Sequence, residues 1–221
     1  MSSATHLPGS GPASTRRTLI AAGAATVLAA TAAPAWLRPA WAQGRRLQPT
    51  PSQTEGPFYP LALPADSDFD LLRNGRASYR HGQPAWVEGT VSDTAGMPVA
   101  GAVVEIWQCD HAGHYHHPGD GGQADPAFQG FGRVAVGPDG RYRFRTLRPV
   151  PYSGRTPHIH VKVRLARREL LTTQLYVAGD PGNERDFLWQ RLNAQQRAAL
   201  TMPFAPDADG LRARFPLIVQ A

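Results

Sequence analysis

The segment His158-Ile159-His160-Val161-Lys162-Val163-Arg164-Leu165 alternates between polar and apolar side chains along its whole length. Successive side chains of a β-strand point to opposite faces, so the alternation predicts a strand whose apolar face packs into a core. The other face carries His158 and His160, two residues apart, and two imidazoles placed in this way can converge on one metal ion. A solvated polar face explains a lone His-x-His pattern equally well. The segment therefore predicts a strand and leaves the role of its histidines open.

Short apolar runs separated by glycine- and proline-rich turns occur on both sides of this strand. Strands at this spacing, followed by one late helix, are typical of an all-β protein, here a β-sandwich of mainly antiparallel strands with long loops. Further strands are predicted at 86–92, 102–108, 131–136, 141–146 and 170–177. The strands at 131–136 and 141–146 are predicted to form a hairpin around Gly137-Pro138-Asp139-Gly140. The helix is predicted over 184–200, with Asn183 as its N-cap.

The chain before residue 43 has the pattern of an export signal. Arg16 and Arg17 precede an alanine-rich apolar run at 21–33, and Ala40-Trp41-Ala42 places small residues where a signal peptidase cleaves. A membrane anchor is the alternative, but the run is weakly apolar and short for a bilayer. We expect a twin-arginine signal peptide over 1–42, cleavage before Gln43, and a periplasmic or secreted protein. This route uses the twin-arginine translocation machinery and carries folded proteins, so a cofactor would be acquired before export.

Charge and cysteine content limit the remaining chain to ordinary globular classes. Loss of residues 1–42 removes Arg16, Arg17 and Arg38, so the formal net charge falls from +6 to +3. The other arginines are scattered, and nucleic-acid binding is not expected. The single cysteine, Cys109, excludes an internal disulfide and is expected to be a small buried residue. We expect an irregular segment at 43–85 that wraps the core, followed by a sandwich domain at 86–221.

Two tyrosines lie close in sequence to histidines. Tyr152 is in the turn-rich segment Pro149-Val150-Pro151-Tyr152-Ser153-Gly154-Arg155-Thr156-Pro157, which leads into the histidine strand. Tyr115 is in the polar loop His111-Ala112-Gly113-His114-Tyr115-His116-His117. Two phenolates and two imidazoles would form an anionic N₂O₂ donor set that favours Fe(III). The loop histidines His111, His114, His116 and His117 could instead bind zinc or copper by themselves, and spacing alone leaves both alternatives open.

Several longer motifs extend this pattern through most of the chain after residue 43. They run from Thr54-Glu55-Gly56-Pro57-Phe58-Tyr59 to Gly179-Asp180 and include Gly113-His114-Tyr115, Pro151-Tyr152, Arg155-Thr156-Pro157-His158-Ile159-His160 and Thr173-Gln174-Leu175-Tyr176. Together they resemble the intradiol ring-cleavage dioxygenases, the family of protocatechuate 3,4-dioxygenase and catechol 1,2-dioxygenase. The resemblance implies one non-haem Fe(III) per chain. It also implies cleavage of a catechol-type aromatic diol by O₂ between its hydroxylated carbons, giving a cis,cis-muconate-type diacid.

The resemblance also implies a role for each matching residue. Tyr115, Tyr152, His158 and His160 match the metal ligands, and Tyr152 matches the axial tyrosinate that leaves the iron when substrate binds. Arg155 matches the arginine that stabilises charge on the bound catecholate, and Gln174 matches a glutamine near the iron. Gly56 and Pro57 match a segment near the substrate mouth.

The sequence departs from better-known members in two places. Only five residues separate Tyr152 from His158, fewer than in those enzymes, and the histidines around Tyr115 are additional. Substrate specificity is expected in loops such as 59–82 and 116–130, so the particular catechol stays open, and a homo-oligomer is expected by analogy. Two other classes remain: a non-catalytic transthyretin-like binding module, which segment 89–107 also resembles, and a periplasmic copper or zinc protein that uses the loop histidines.

Overall fold

The computed structural model describes residues 46–221, and the signal peptide predicted over 1–42 lies outside the described residues. The strands are β1 (Arg73–Asn74), β2 (Ala77–Ser78), β3 (Pro84–Asp93), β4 (Val103–Trp107), β5 (Phe131–Ala135), β6 (Arg141–Leu147), β7 (His158–Leu165), β8 (Arg168–Val177), β9 (Thr201–Met202), β10 (Ala205–Asp207), β11 (Gly210–Arg214) and β12 (Leu217–Val219). The helices are α1 (Phe187–Gln190) and α2 (Ala194–Leu200), and single 3-10 turns cover Pro118–Asp120 and Asn183–Arg185. No helix within residues 46–221 is long and apolar enough to cross a membrane.

Two five-stranded sheets share one hydrophobic core. The first has the order β10-β11-β3-β12, with β6 on the other edge of β3, and the second has the order β5-β4-β7-β8-β9. Most pairs are antiparallel, whereas β11 and β12 pair in parallel with β3, and β9 pairs in parallel with β8. Val87 and Phe144 from the first sheet and Val104 and Val161 from the second are fully or almost fully buried in the same core. The predicted β-sandwich is confirmed.

The hairpin predicted over 131–146 is wrong, although both of its strands exist. β5 pairs with β4 in one sheet, whereas β6 pairs with β3 in the other. The turn between them carries the chain across the sandwich, and the carbonyl of Gly140 accepts a hydrogen bond from Val91 N–H on β3 at 2.8 Å. Side-chain alternation specifies which face of each strand is buried. A hairpin and a crossing between sheets can bury the same faces, so the pattern could not distinguish them.

The single helix predicted over 184–200 is also wrong, because two short helices occupy this part of the chain. Asp186, and not Asn183, is the N-cap of α1, and its carboxylate accepts two backbone N–H groups of the first turn at 3.0 Å each. Asn193 caps α2 in a reciprocal capping box. Asn183 is buried and donates its side-chain N–H to the carbonyl of Val177 at 2.8 Å. A helix starts at its cap residue, so the two cap residues Asp186 and Asn193 divide the apolar pattern between two helices.

Residues 46–83 contain only the β1–β2 ladder as regular structure and follow the sandwich through hydrogen bonds. Thr50 N–H donates to the carbonyl of Ile218, and Gln53 N–H donates to the carbonyl of Thr172, each at 2.9 Å. The hydroxyl of Thr173 donates to the carbonyl of Pro51 at 2.7 Å. These bonds join the segment to strands of both sheets and place its residues 54–56 beside the histidine end of β7.

Candidate metal centre

His158 and His160 extend from the face of β7 that is opposite its core face, as strand alternation requires. Each is 1% exposed, and Lys162 on the same face is 3% exposed, so the solvated polar face considered as an alternative is wrong. The two imidazole centroids are 4.8 Å apart and the two Nε2 atoms are 3.2 Å apart. The strand thus presents two ring nitrogens to one buried point.

Neighbouring groups determine the protonation of these imidazoles. His158 Nδ1 lies 2.7 Å from the carbonyl oxygen of Thr156, which can only accept, so Nδ1 carries the proton and Nε2 keeps its lone pair. Burial, followed by the charge of Arg155, lowers the pKa of His158 to about 3. Burial also lowers the pKa of His160 well below its ordinary value. Trp107 stacks on the His160 ring at 4.8 Å with planes 8° apart. Both rings are neutral, fixed and able to coordinate a metal.

Tyr115 and Tyr152 close a ring of aromatic side chains with the two histidines. The Tyr152 centroid lies 5.4 Å from that of His158, and the Tyr115 centroid lies 4.9 Å from that of Tyr152 and 6.1 Å from that of His160. Tyr152 reaches this position through a tight turn in which its carbonyl accepts Arg155 N–H at 2.7 Å. The structure therefore brings together all four residues that the sequence predicted as ligands.

The hydroxyl of Tyr115 is buried and has no hydrogen-bond partner among the described residues, and the same is true of His160 Nδ1. Buried polar groups are nearly always paired, so an orphaned phenol oxygen in the same buried cluster as the two histidines indicates a missing partner. Burial, followed by the nearby charge of Tyr152, raises the pKa of Tyr115 well above its ordinary value. Burial also raises the pKa of Tyr152, although Arg155 opposes the shift. Only a strongly charged cation would hold both side chains as phenolates, and a hard ferric ion fits these four donors.

Arg155 and Gln174 lie beside this ring in one hydrogen-bond network. Arg155 donates from Nη2 to Gln174 Oε1 at 2.8 Å and from Nε to Asp186 Oδ2 at 2.7 Å. Gln174 Oε1 also accepts the Tyr176 hydroxyl at 3.2 Å, and Gln174 Nε2 donates to the carbonyl of Thr54 at 3.0 Å. Gln174 is 0% exposed. Because its amide oxygen accepts from Arg155 and its amide nitrogen donates to Thr54, Gln174 fixes both Arg155 and the N-terminal segment.

Asp186 is a site residue that the sequence analysis missed, because it lay inside the predicted helix. Burial alone would raise the pKa of Asp186, but hydrogen bonds from Arg155 and from the N–H groups of Trp189 and Thr156 lower it below its usual range. The carboxylate is therefore ionised and paired with the guanidinium. Its sequence signal, a cap-type residue before the apolar run that starts at Phe187, was available.

The segment that contains Gly56 and Pro57 forms one wall of the centre. Gly56 has φ of +75°, and a Cβ at this position would lie 3.1 Å from His160 Cε1, so the close approach requires glycine. Pro57 is exposed. Phe58, for which the sequence predicted no separate role, stacks on Tyr115 with centroids 4.7 Å apart. Gly56 thus lies close to His160, a metal-ligand candidate, and the substrate-binding role of Gly56 and Pro57 stays a prediction.

The additional histidines around Tyr115 have other partners. His116 Nε2 lies 2.6 Å from the carbonyl of Phe128, and His117 Nδ1 accepts Gly119 N–H at 3.0 Å. Within residues 46–221, no three His, Cys, Asp or Glu side chains are grouped so that they could hold a metal ion. The zinc or copper site built from the loop histidines alone is therefore not favoured.

The fold and the centre together define a β-sandwich protein with a buried site of two histidines and two tyrosines. The chain belongs to the dioxygenase family, whose model matches residues 54–220. It is 30% identical over 190 residues to hydroxyquinol 1,2-dioxygenase of Nocardioides simplex, a match that covers 74% of this chain and 62% of the relative. It is 35% identical over 183 residues to catechol 1,2-dioxygenase 1 of Acinetobacter lwoffii, covering 73% and 55% respectively. The chain thus spans less than two thirds of the length of these relatives.

A solved structure matches over almost its full length. The dioxygenase domain of a dioxygenase–carbohydrate-binding protein fusion from Streptomyces sp. SirexAA-E is 33% identical, with a TM-score of 0.62. The match covers 77% of this chain and 97% of that domain. The sandwich described above is therefore a dioxygenase fold, and the likeness extends beyond the motifs around the metal centre.

Proposed function

We propose that this chain is an intradiol dioxygenase that cleaves the ring of a catechol-type diol with O₂, at one non-haem ferric ion held by Tyr115, Tyr152, His158 and His160. The observation that carries the proposal is the closed ring of these four buried side chains, in which the phenol oxygen of Tyr115 has no hydrogen-bond partner. When bound, the ferric ion would supply a Lewis-acid centre that the two oxygens of the diol can chelate, and donation of electron density from the diolate to the ion would make the ring reactive toward O₂.

Tyr152 is the proton acceptor in this proposal. It is the more accessible of the two tyrosines, at 8% against 2% for Tyr115, and it sits on a tight turn next to Arg155. Its phenolate oxygen can take a proton from the incoming diol, which must be deprotonated to be held through both oxygens. Tyr115, His158 and His160 hold their positions throughout, because burial and stacking restrict their rings.

Arg155 supplies the fixed positive charge. Its guanidinium is held by Gln174 and Asp186 and lies close enough to Tyr152 to oppose the burial-driven rise of the Tyr152 pKa. A guanidinium held in this way offsets negative charge that builds on the diol, and the effect is strongest where water is excluded. Phe58 and Trp107 provide that exclusion by covering Tyr115 and His160.

Metal analysis, colour and oxygen uptake test the proposal together. Purified protein should contain one high-spin ferric ion per chain and show a broad visible tyrosinate-to-iron band that moves to longer wavelength when catechol is added without O₂. Oxygen uptake with a panel of catechol, hydroxyquinol and protocatechuate should yield a ring-opened diacid for at least one diol. A colourless, iron-free protein that turns over would contradict the ferric site. Iron without oxygen uptake on any diol would leave a binding module as the better account.

We also propose that the chain is exported by the twin-arginine machinery and acts in the periplasm or outside the cell. The support is Arg16-Arg17 before an apolar run and Ala40-Trp41-Ala42 before Gln43. A homo-oligomer of the mature chain is expected by analogy with the family, and sedimentation of the iron-loaded protein measures it directly.

A further inference from the structure

The carboxylate of Asp186 connects helix α1 to Arg155 and Thr156. Its Oδ1 accepts the N–H groups of Leu188 and Trp189 at 3.0 Å each, and these bonds cap helix α1. Its Oδ2 accepts Arg155 Nε at 2.7 Å and Thr156 N–H at 3.1 Å. The side chain is 0% exposed, so no water competes for these four donors.

The geometry gives Arg155 a defined orientation. Its Nε is held by Asp186 and its Nη2 by Gln174, so the guanidinium plane is fixed at two points. Thr156, which bonds to Asp186 through its N–H and to the His158 ring through its carbonyl, connects the same carboxylate to a metal-ligand candidate. A shift of Asp186 would therefore move Arg155 relative to His158.

We infer that Asp186 is the positioning residue of Arg155, and that it sets the orientation of the guanidinium toward the bound diol. The inference rests on the proposed function, because Arg155 is assigned there as the fixed positive charge. Asp186 touches neither the diol nor the metal ligands directly, and it acts on the diol through Arg155. Its second contact, with Thr156 N–H, leads to the His158 ring, and retention of iron in the Asp186 variants tests that contact separately. Partners that orient a site residue in this way typically contribute about 10- to 100-fold in activity or affinity.

Asp186→Asn separates the two roles of the side chain. Asparagine is as good an N-cap as aspartate, so its oxygen can keep the two bonds to α1. Its amide nitrogen then faces Arg155 Nε and Thr156 N–H, which are both donors, and cannot accept from either. Asp186→Ser is a second variant that caps the helix with a shorter side chain and removes the carboxylate. Asp207→Asn is the matched control, because the Asp207 carboxylate also accepts Arg Nε, from Arg212 at 2.9 Å, on an exposed strand.

The first measurement is steady-state and binding behaviour of the iron-loaded protein. Asp186→Asn should keep its iron and its visible band, since no ligand is changed, while kcat/KM falls about 10- to 100-fold. Anaerobic catechol titration should show whether the loss lies in binding or in the later step. Arg155→Ala combined with Asp186→Asn should be no slower than Arg155→Ala alone. A double variant whose loss equals the product of the single losses would overturn the inference, as would an Asp186→Asn effect no larger than that of Asp207→Asn.

The second measurement uses the metal-free protein and does not depend on activity. If Asp186 and Arg155 act as one unit, the Tm losses of the two single variants should add to more than the loss of the double variant. We expect the excess to be at least about 1–2 °C, on the usual coupling of contacting residues and the usual dependence of Tm on stability. Additive losses would refute the coupling. If the wild-type protein cleaves no diol, the proposed function fails, and this cycle still decides whether Asp186 positions Arg155.

Discussion

Phe58 stacks on Tyr115 with ring centroids 4.7 Å apart and planes inclined by 26°. Phe58 comes from the irregular N-terminal segment, whereas Tyr115 lies in the loop that follows β4. Two residues earlier, Gly56 approaches the ring of His160 so closely that a Cβ would lie 3.1 Å from its Cε1. The N-terminal segment is therefore a wall of the metal centre as well as a wrapping of the sandwich.

Phe58→Ala should weaken the metal centre without removing a ligand. Loss of the ring exposes Tyr115 to water and frees its rotation, and aromatic pairs of this kind contribute about 0.5–1.5 kcal/mol beyond the area they bury. We expect iron release to a chelator to become about 2- to 10-fold faster, with a broadened visible band. Phe69→Ala is the control, since Phe69 is 47% exposed. Equal release rates in the two variants would mean that the stacking does not support Tyr115.

The two groups of histidines should differ in iron content. His158→Ala or His160→Ala removes an Nε2 donor from the buried ring and should leave the purified protein without iron. His116→Ala or His117→Ala removes a side chain bonded to backbone groups of its own loop, so the iron should remain. Metal analysis of the four purified variants measures the difference. The reverse pattern would move the metal to the loop histidines and contradict the proposed centre.

Gly89→Ala tests how closely the C-terminal strands follow β3. A Cβ on Gly89 would lie 2.2 Å from the carbonyl oxygen of Phe215. Phe215 lies between β11 and β12, which both pair with β3. Overpacking of this kind costs about 1–3 kcal/mol, and a clash with backbone lies at the upper end. Gly137→Ala is the control, because a Cβ there meets only the carboxylate of Asp139 at 3.1 Å. Denaturant unfolding of both variants measures the difference, and equal midpoints would contradict the close approach.

The sequence predicted those parts of the molecule that depend on local alternation. The strand at 158–165 was predicted with the correct core face, and the class of fold was also predicted correctly. The pairing of 131–136 with 141–146 was wrong because pairing depends on which sheet each strand joins, and the alternation is the same in both cases. The helix was wrong because the caps Asp186 and Asn193 interrupt a pattern that is otherwise continuous.

The candidate site was also predicted only in part. Tyr115, Tyr152, His158, His160, Arg155 and Gln174 were named from motifs, and the structure brings them together. The residues that support them were not predicted, because Asp186 bonds to Arg155 and Phe58 stacks on Tyr115 across segments far apart in sequence. No spacing rule in one sequence specifies such contacts, whereas ligand types at strand spacing follow directly from backbone geometry.

Replacement of Arg16 and Arg17 by lysine should stop export. The twin-arginine machinery reads the arginine pair, so the variant should accumulate inside the cell as a folded precursor that still begins before Gln43. Cell fractionation and the N-terminal sequence of the recovered protein measure this outcome. Lysine keeps the positive charge, so an effect of charge alone is controlled within the same variant. Unchanged delivery and processing would assign the signal at 1–42 to the general secretory route.

Replacement of Tyr115 and of Tyr152 by phenylalanine should have different effects on the iron. Tyr115 is 2% exposed and covered by Phe58, so Tyr115→Phe should lose most of its iron and its visible band in every state. Tyr152 is on a turn beside Arg155, and Tyr152→Phe should still bind ferric iron, with an altered band. That variant lacks the proposed proton acceptor, so deprotonation of the diol should become the slow step.

Single-turnover kinetics with protein loaded anaerobically with catechol separate the steps for Tyr152→Phe. A positioned acid–base group usually contributes about 10²- to 10⁴-fold in rate, so binding of the diol to iron should slow by that order. The later reaction with O₂ should change less, because Arg155 is still held by Asp186 and Gln174. Arg155→Ala should show the opposite profile: intact iron, intact binding of catechol and a slowed reaction with O₂. If Tyr152→Phe binds catechol at the wild-type rate and then reacts normally, Tyr152 is not the proton acceptor.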